Sequence, residues 1–277
     1  MLTDTIYQSL KSVPSLQRQF KRVVLKLPHR QRLVNHFQCK LWVDPAELHG
    51  FYLYYEREYD DYIFEFLLTQ VRNLQSKYHR AIDIGANIGI YTTFLAQISN
   101  HVDAFEPEKQ VLARLRKNLS LNGINNVAIH EKCVGQFSGN VGFTSPDKHN
   151  QGVGSISLES GIGQVPCITL DDFLGGVLSE SCLIKMDIEG GEWLALQGAR
   201  EALTQRKAPV SILLEVHPEE IERLGGTVKE LKQLLESMRL EVSALTPQGL
   251  KPLPENGNRA QVLNPAIKLY NLCVLPR

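Results

Sequence analysis

Residues 80–107 open Arg-Ala-Ile-Asp-Ile-Gly-Ala-Asn-Ile-Gly, continue through a helical stretch and close on His-Val-Asp-Ala-Phe-Glu-Pro. A short apolar run, Ala81, Ile82 and Ile84, is interrupted by Asp83 and yields to Gly85, Asn87 and Gly89 before apolar residues return at helical spacing. That is the pattern of a strand, a tight turn and a helix. Glycine permits the positive φ and close backbone approach such a turn needs, and the following helix aims unpaired N–H groups at whatever occupies it. A second strand, 101–105, ends on Glu106, about where a nucleotide-binding βαβ unit sets a carboxylate on ribose hydroxyls. Together these describe a pocket for an adenosine.

A dinucleotide would need Gly-x-Gly-x-x-Gly, so that its pyrophosphate could lie on bare backbone at the helix N-terminus. Here Asn87 takes the place of the second glycine and none follows Gly89 where the fingerprint requires one. Asp83 beside the turn repels phosphate and welcomes an ammonium group. S-adenosylmethionine carries an ammonium and a sulfonium and no phosphate. The stretch therefore reads as a methyl-donor site in preference to an NAD site, with a generic two-glycine βα turn as the plain alternative.

With 277 residues the chain can bury a sizeable core in one large domain or in one domain with an extension. Its 30 basic and 30 acidic residues cancel, leaving no overall field to attract nucleic acid or an anionic surface. Cys39, Cys133, Cys167, Cys182 and Cys273 include no Cys-x-x-Cys pair, which suits reduced buried thiols in the cytoplasm and suggests no zinc site. No apolar run is long enough to span a membrane.

Taken in order, residues 1–27 hold a mixed apolar and basic pattern closed by Pro28, read as a covering helix, with a membrane-surface role as the second reading. Residues 37–55 alternate and are rich in aromatics, which predicts a β-hairpin. The pattern predicts a helix over 62–74, a second over 108–121 stopped at Asn122-Gly123, and a strand over 127–130 running into Cys133-Val134. Residues 139–164 are polar and glycine-rich, a surface hairpin or a loop over the site. A short helix capped by Thr169 precedes a strand over 181–189, a helix over 192–203, a strand over 210–217 and a helix over 228–238. Two final strands, 240–245 and 267–275, flank a Pro/Gly/Asn-rich loop. Strands alternating with helices make an α/β fold, a mostly parallel sheet covered on both faces. Residues 1–76 are expected to form a helical and hairpin extension on the substrate side, and 77–277 the cofactor-binding domain.

In such a sheet ligands bind beyond the carboxyl ends of the strands. The strands finish on Asp83, on Glu106, on Asp187 with Glu189, and on Glu215 with His217. Alternation sets Asp187 and Glu189 on one side, and likewise Glu215 and His217, so the four could line the floor beside the methyl donor. His217 before Pro218 could be a satisfied structural histidine, yet its neutral form near pH 7 makes it the best general base among them. Glu215 could pair with Lys185. The spacing permits a hard divalent cation such as magnesium without requiring it, so a metal stays undecided. Gly-x-Ser-x-Gly and Walker loops are absent.

Six motifs then occur in order: Asp83-Ile84-Gly85-Ala86-Asn87-Ile88-Gly89, Ala104-Phe105-Glu106-Pro107, Asn118-Leu119-Ser120-Leu121-Asn122-Gly123, Thr169-Leu170-Asp171, Lys185-Met186-Asp187-Ile188-Glu189-Gly190 and Leu214-Glu215-Val216-His217. The string resembles the FkbM-type S-adenosylmethionine-dependent methyltransferases from about 37 to 217. The resemblance implies a Rossmann-like class I methyltransferase fold with a seven-stranded sheet in the order 3, 2, 1, 4, 5, 7, 6, the seventh antiparallel. It implies O-methylation of hydroxyls on sugars, glycans, lipid-linked saccharides or polyketides. Carried over, Asp83, Gly85 and Asn87, with Ala86 and Gly89 in the same turn, would hold the methionine part, Glu106 with Pro107 the ribose, and Cys133 and Val134 the adenine edge; Asp60 would help close the pocket. Gln136 replaces a usual aspartate, and Val153-Gly154-Ser155-Ile156-Ser157 replaces a Gly-Gly-Ser-Ser run, which bears on substrate choice first. Rival readings are a nucleotide-dependent oxidoreductase and a non-catalytic S-adenosylmethionine-binding module. The acceptor is expected to be a small molecule or saccharide and not nucleic acid, because no basic stripe or Asn-Pro-Pro-Tyr tetrapeptide appears. Nothing in the pattern fixes an oligomeric state.

Overall fold

The structure, a computed structural model, describes residues 2–144, 154–157, 163–253 and 270–276. It opens with α1 (Leu2–Leu10) and α2 (Pro14–Val24), the latter started by a proline whose missing N–H costs nothing in a first turn. An antiparallel pair, β1 (Arg32–His36) and β2 (Cys39–Val43), leads into α3 (Leu48–Phe51), a π-helical turn (Tyr52–Glu56) and α4 (Asp61–Leu74).

The hairpin expected over 37–55 is thus displaced to Arg32–Val43, and the aromatic run is helical. The reason lies in burial: Phe51 and Tyr55 pack into an aromatic cluster with Tyr7 and Phe20, while Leu53 packs into the main core. A helix sandwiched between two apolar surfaces buries every second residue and so imitates a strand.

The main sheet is built by β3 (Tyr78–Ile84), α5 (Ile90–Ile98), β4 (Ser99–Phe105), α6 (Lys109–Leu121) and β5 (Val127–His130). The glycine-rich region then contributes to a separate four-stranded sheet of β6 (Cys133–Val134), β7 (Gly139–Thr144), β8 (Ser155–Ser157) and β9 (Gln164–Ile168), in the order β6-β9-β7-β8. Residues 145–153 and 158–162 of that region lie outside the described residues. Next come α7 (Leu170–Leu174), β10 (Cys182–Met186), α8 (Glu192–Gln197), α9 (Arg200–Thr204), β11 (Val210–Val216), α10 (Pro218–Arg223) and α11 (Val228–Ser237). The last strands are β12 (Leu240–Thr246), β13 (Gly249–Pro252) and β14 (Tyr270–Pro276).

The single helix expected over 192–203 is broken in two. Asp171 accepts hydrogen bonds from the backbone N–H groups of Glu201 (3.1 Å) and Ala202 (2.8 Å), which satisfies a fresh helix start there.

Along the sheet the order is β13-β12-β14-β11-β10-β3-β4-β5. The five strands from β11 to β5 are parallel and β14 is antiparallel to β11. This is a methyltransferase-like α/β fold in the expected strand order, with β13 added at the edge as an eighth strand. Every residue of β10 is buried, as a strand covered on both faces must be. Its alternate residues Ile184 and Met186 join the core beneath α8 and α11, while Leu183 joins the core with Phe64 of α4 and Phe94 of α5. Lys185 is the polar residue in that apolar run.

Candidate active site

Four parallel strands end at one rim. Ile84 pairs with Phe105 and with Met186, which pairs with Leu214, so the residues that follow these, Gly85, Glu106, Asp187 and Glu215, converge at the carboxyl edge. The chain winds outward from β3 in one direction and from β10 in the other, and a crevice opens at such a reversal. It holds a cleft lined among others by Gly85, Glu106, Lys132, Cys133, Asp187 and Glu189.

The bend after β3 is tight. Gly85 has φ +85°, and a Cβ there would stand 2.0 Å from the carbonyl oxygen of Asp187, so only glycine fits. The N–H groups of Gly85 and Ala86 both donate to the Phe105 carbonyl at 3.0 Å. Asn87 adopts a left-handed conformation and donates its N–H to Glu106 Oε2 (2.9 Å), and Gly89 starts α5. Glu106 Oε1 accepts from the Glu108 N–H (2.7 Å). Burial raises the Glu106 carboxyl to about 7, against those two hydrogen bonds. Each oxygen keeps a further lone pair for a ligand hydroxyl.

Asp83 lies beneath the bend, fully buried and away from the cleft lining. Its Oδ2 accepts from Thr92 Oγ1 (2.6 Å), and its Oδ1 lacks a hydrogen-bond partner among the described residues. Register makes Lys185 its cross-strand neighbour, with Nζ 3.8 Å from Oδ1. The same Nζ donates to Asp187 Oδ2 (3.1 Å) and sits 4.6 Å from the centroid of the Tyr91 ring. Burial works against the charge on Lys185, but Asp187, Asp83 and Glu215 outweigh it and hold the ammonium protonated. Burial likewise works against Asp187, and Lys185 more than offsets it, so this carboxylate stays ionised. Tyr91 Oη donates to Asp60 Oδ2 (2.9 Å); burial lifts Asp60 to about 6, partly countered by that bond.

On the far side, His217 Nε2 is 3.6 Å from Glu189 Oε2 and 3.7 Å from Glu215 Oε1, ion-pair distances beyond hydrogen-bond reach. Nε2 has no hydrogen-bond partner among the described residues. Burial alone would lower this histidine, but Glu215 and Glu189 raise it to about 9. The expectation of a neutral imidazole near pH 7 gives way to an imidazolium held by its carboxylate neighbours. Burial, with repulsion from Asp187, raises Glu215 to about 7, and burial raises Glu189 as well.

β10 ends at Met186 and Glu189 takes a left-handed conformation, so strand alternation does not carry through to Glu189. The turn nevertheless brings Asp187, Glu189 and His217 together, with one ligand atom of each within 4.8 Å of the others. A divalent cation could span that spacing only by displacing the proton from His217, because an imidazolium offers no lone pair.

Two neighbours, Glu192 and His49, and one pairing of Lys185 escaped the sequence reading. Lys185 was legible as a charge inside an apolar strand, yet its pairing with Asp83 depends on register between distant strands. Glu192, in the first turn of α8, is fully buried; its Oε1 accepts from the Ile188 N–H (2.7 Å) and burial raises it to about 8. His49, in α3, has its pKa lowered by burial and sets its ring 5.5 Å from that of Tyr59. Cys133 and Cys167 are buried thiols on paired strands; burial raises both, Cys167 to about 11.

The Methyltransferase FkbM domain model matches residues 83–241. Among solved structures, the chain is similar to the methyltransferase FkbM of Methylobacillus flagellatus, with 19% identity, 72% of this chain, 44% of that one and a TM-score of 0.44. Wild-type Trm5b of Pyrococcus abyssi gives 12% identity over 88% and 55% with a TM-score of 0.44. TYW2 of M. jannaschii in complex with AdoMet gives 14% over 90% and 86% with a TM-score of 0.45. The chain thus spans about half the length, or less, of the first two. Comparison with curated proteins gives no match.

Proposed function

The chain belongs to the FkbM methyltransferase family, and from that premise we propose that it is an S-adenosylmethionine-dependent O-methyltransferase acting on a hydroxyl of a small molecule or saccharide in the cytoplasm. One observation carries the reading: carboxylates outnumber cations around the crevice. Glu106, Asp187 and Glu189 line it against Lys132, and about it Asp60 and Glu215 stand with Lys185 and His217, Asp83 lying beneath the bend. A cavity so charged favours a cationic, phosphate-free ligand and repels a pyrophosphate. This fits the methyl donor and speaks against a nucleotide-dependent oxidoreductase.

In this reading Glu106 takes the ribose hydroxyls on its open lone pairs. Cys133, Val134 and Ile156 offer an apolar wall to the adenine, and Gly85 leaves backbone bare against the amino-acid part. Asp187 and Asp60 face its positive groups, while Asp83 balances Lys185 from below. When bound, the donor supplies a methyl group already made electrophilic by its sulfonium. What remains for the protein is to orient the acceptor oxygen and exclude water, which accounts for most of the rate. His217 Nε2, once it has lost its proton, receives the proton of the acceptor hydroxyl, with Glu215 and Glu189 fixing the ring. Asp187 and Glu189 hold the acceptor by accepting from its other hydroxyls. The reading assigns the proton transfer to His217 and does not require a divalent cation.

The test is incubation of the protein with methyl-labelled S-adenosylmethionine and a panel of hydroxylated saccharides and small molecules. Label transfer that persists in chelator supports the reading. If S-adenosylmethionine binds but no acceptor is methylated, and Asp187→Asn and His217→Gln leave cellular function intact, the non-catalytic reading replaces it.

A further inference from the structure

The neutral overall balance conceals an asymmetry. From Thr5 to Val43 the sequence contains no Asp or Glu but eight Lys and Arg residues, from Lys11 to Lys40. The same region holds most of the large apolar side chains left exposed: Ile6, Val13, Leu16, Val23, Leu27 and Leu33. On α2, Leu16 and Val23 lie within about 20° of each other around the axis at 100° per residue, with Arg22 on their flank about 100–120° away and Arg18 on the far side of the helix. This leaves an apolar ridge flanked by cations.

The face is held rigidly. Tyr7, Phe20, Phe51 and Tyr55 interlock with ring centroids 5.1–5.5 Å apart. Lys21 is spent in this joint, donating to Tyr52 Oη at 2.9 Å. Two acids approach from neighbouring elements: Glu56 takes the Tyr7 hydroxyl, and Asp44 lies 3.1 Å from His29. Arg18, Arg22, Lys26, Arg30 and Arg32 meet no carboxylate within ion-pair distance among the described residues. Beside the ridge is a second cleft, walled by Leu27, Pro28, Arg30, Arg32, Asp44 and Tyr55, among others. Its two guanidinium groups outnumber its one carboxylate, which His29 already faces at 3.1 Å, and over tyrosine and proline surfaces they suit an anionic headgroup with an apolar neighbour.

We infer that the α1–α2 face and this cleft dock the protein peripherally on an anionic phospholipid surface. Leu16, Val23 and Leu27 enter the interface, and Arg22, Lys26, Arg30 and Arg32 meet lipid phosphates. No described helix is long and apolar enough to cross a membrane; the docking proposed is interfacial, by an exposed apolar ridge and its flanking cations. Nucleic acid would use the cations but gain nothing from the exposed apolar ridge. The aromatic helix over 48–56 has one side on this cleft and carries His49 toward Asp187 on the other, so the docked face adjoins the acceptor side of the crevice. The inference does not depend on the methyl-transfer reading.

Co-sedimentation of the full chain with phosphatidylcholine vesicles, with and without phosphatidylglycerol, tests it. The protein should pellet with the anionic vesicles only, and less as salt rises. Arg22→Gln and Lys26→Gln should each weaken binding about fivefold, and Leu16→Ser with Val23→Ser should weaken it at unchanged charge. Each of these residues is exposed, and an unchanged thermal melt identifies variants that have kept their fold. Failure of the unaltered protein to bind anionic vesicles overturns the inference. So does vesicle binding that the double serine variant leaves untouched while heparin or RNA competes it away, which would make the face a general polyanion site.

Discussion

Replacing Glu215 with Gln should lower the proton affinity of His217 while leaving its packing in place. His217 rises from 6.5 to about 9 because Glu215, Glu189 and Glu192 together outweigh its burial. At 1.36 kcal/mol per pH unit that net rise is worth about 3 kcal/mol. Glu215 and Glu189 stand at nearly equal distances from Nε2, 3.7 and 3.6 Å, so each supplies a comparable share. Removing one charge should therefore bring the midpoint down by about one to one and a half units. The sign is fixed, because a lost carboxylate withdraws support from the imidazolium and not from the neutral ring. The assay is an NMR titration of the His217 ring protons in the ligand-free protein, assigned by comparison with His217→Gln. In activity, the rising limb of kcat/KM should move to lower pH by the same amount. A midpoint that stays near 9 or moves upward would refute the arrangement of charges described here.

The raised carboxyls set the pH dependence of stability. Asp60, Glu106, Glu215 and Glu192 bind protons more tightly folded than unfolded, so the ligand-free protein should lose stability as pH rises from about 4.5 to about 8; a thermal melt series that rises over this window would contradict it. Lys185→Met leaves Asp83 and Asp187 buried without their cation and should cost about 3–5 kcal/mol in denaturant unfolding; a loss below 1 kcal/mol would deny the pairing. Tyr91→Phe, which takes a donor from Asp60, should cost about 1 kcal/mol and raise Asp60 further. Gly85→Ala should abolish S-adenosylhomocysteine binding or destabilise the fold, since its methyl would meet the Asp187 carbonyl; unchanged calorimetry and melting would remove the reason given for this glycine.

The parallel sheet and the rim of acids were legible because they depend on local signals. Buried strands read as apolar runs, Gly85 and Gly89 punctuate the bend, and Thr169 announces its helix by accepting from the Asp172 N–H at 2.9 Å. What stayed hidden depends on distant chain. The aromatic stretch 51–55 alternates as a strand would, but its burial comes from α1 and α2 on one side and the main core on the other. The partner of Asp83 was invisible because only the register of β3 with β10 sets Lys185 beside it. The protonation of His217 escaped for a similar reason: Glu189 reaches it through a left-handed turn, not through strand alternation. β13 joins the edge as a hairpin with β12, and a short exposed strand there leaves little apolar pattern to read.

The most direct measurement is calorimetric titration of the purified chain, near neutral pH, with S-adenosylmethionine and, in parallel, with NAD. The acid-walled crevice predicts saturable binding of S-adenosylmethionine, weakened by Asp187→Asn and by Glu106→Gln, and no binding of NAD. Tight NAD binding with S-adenosylmethionine silent would contradict the account at its root.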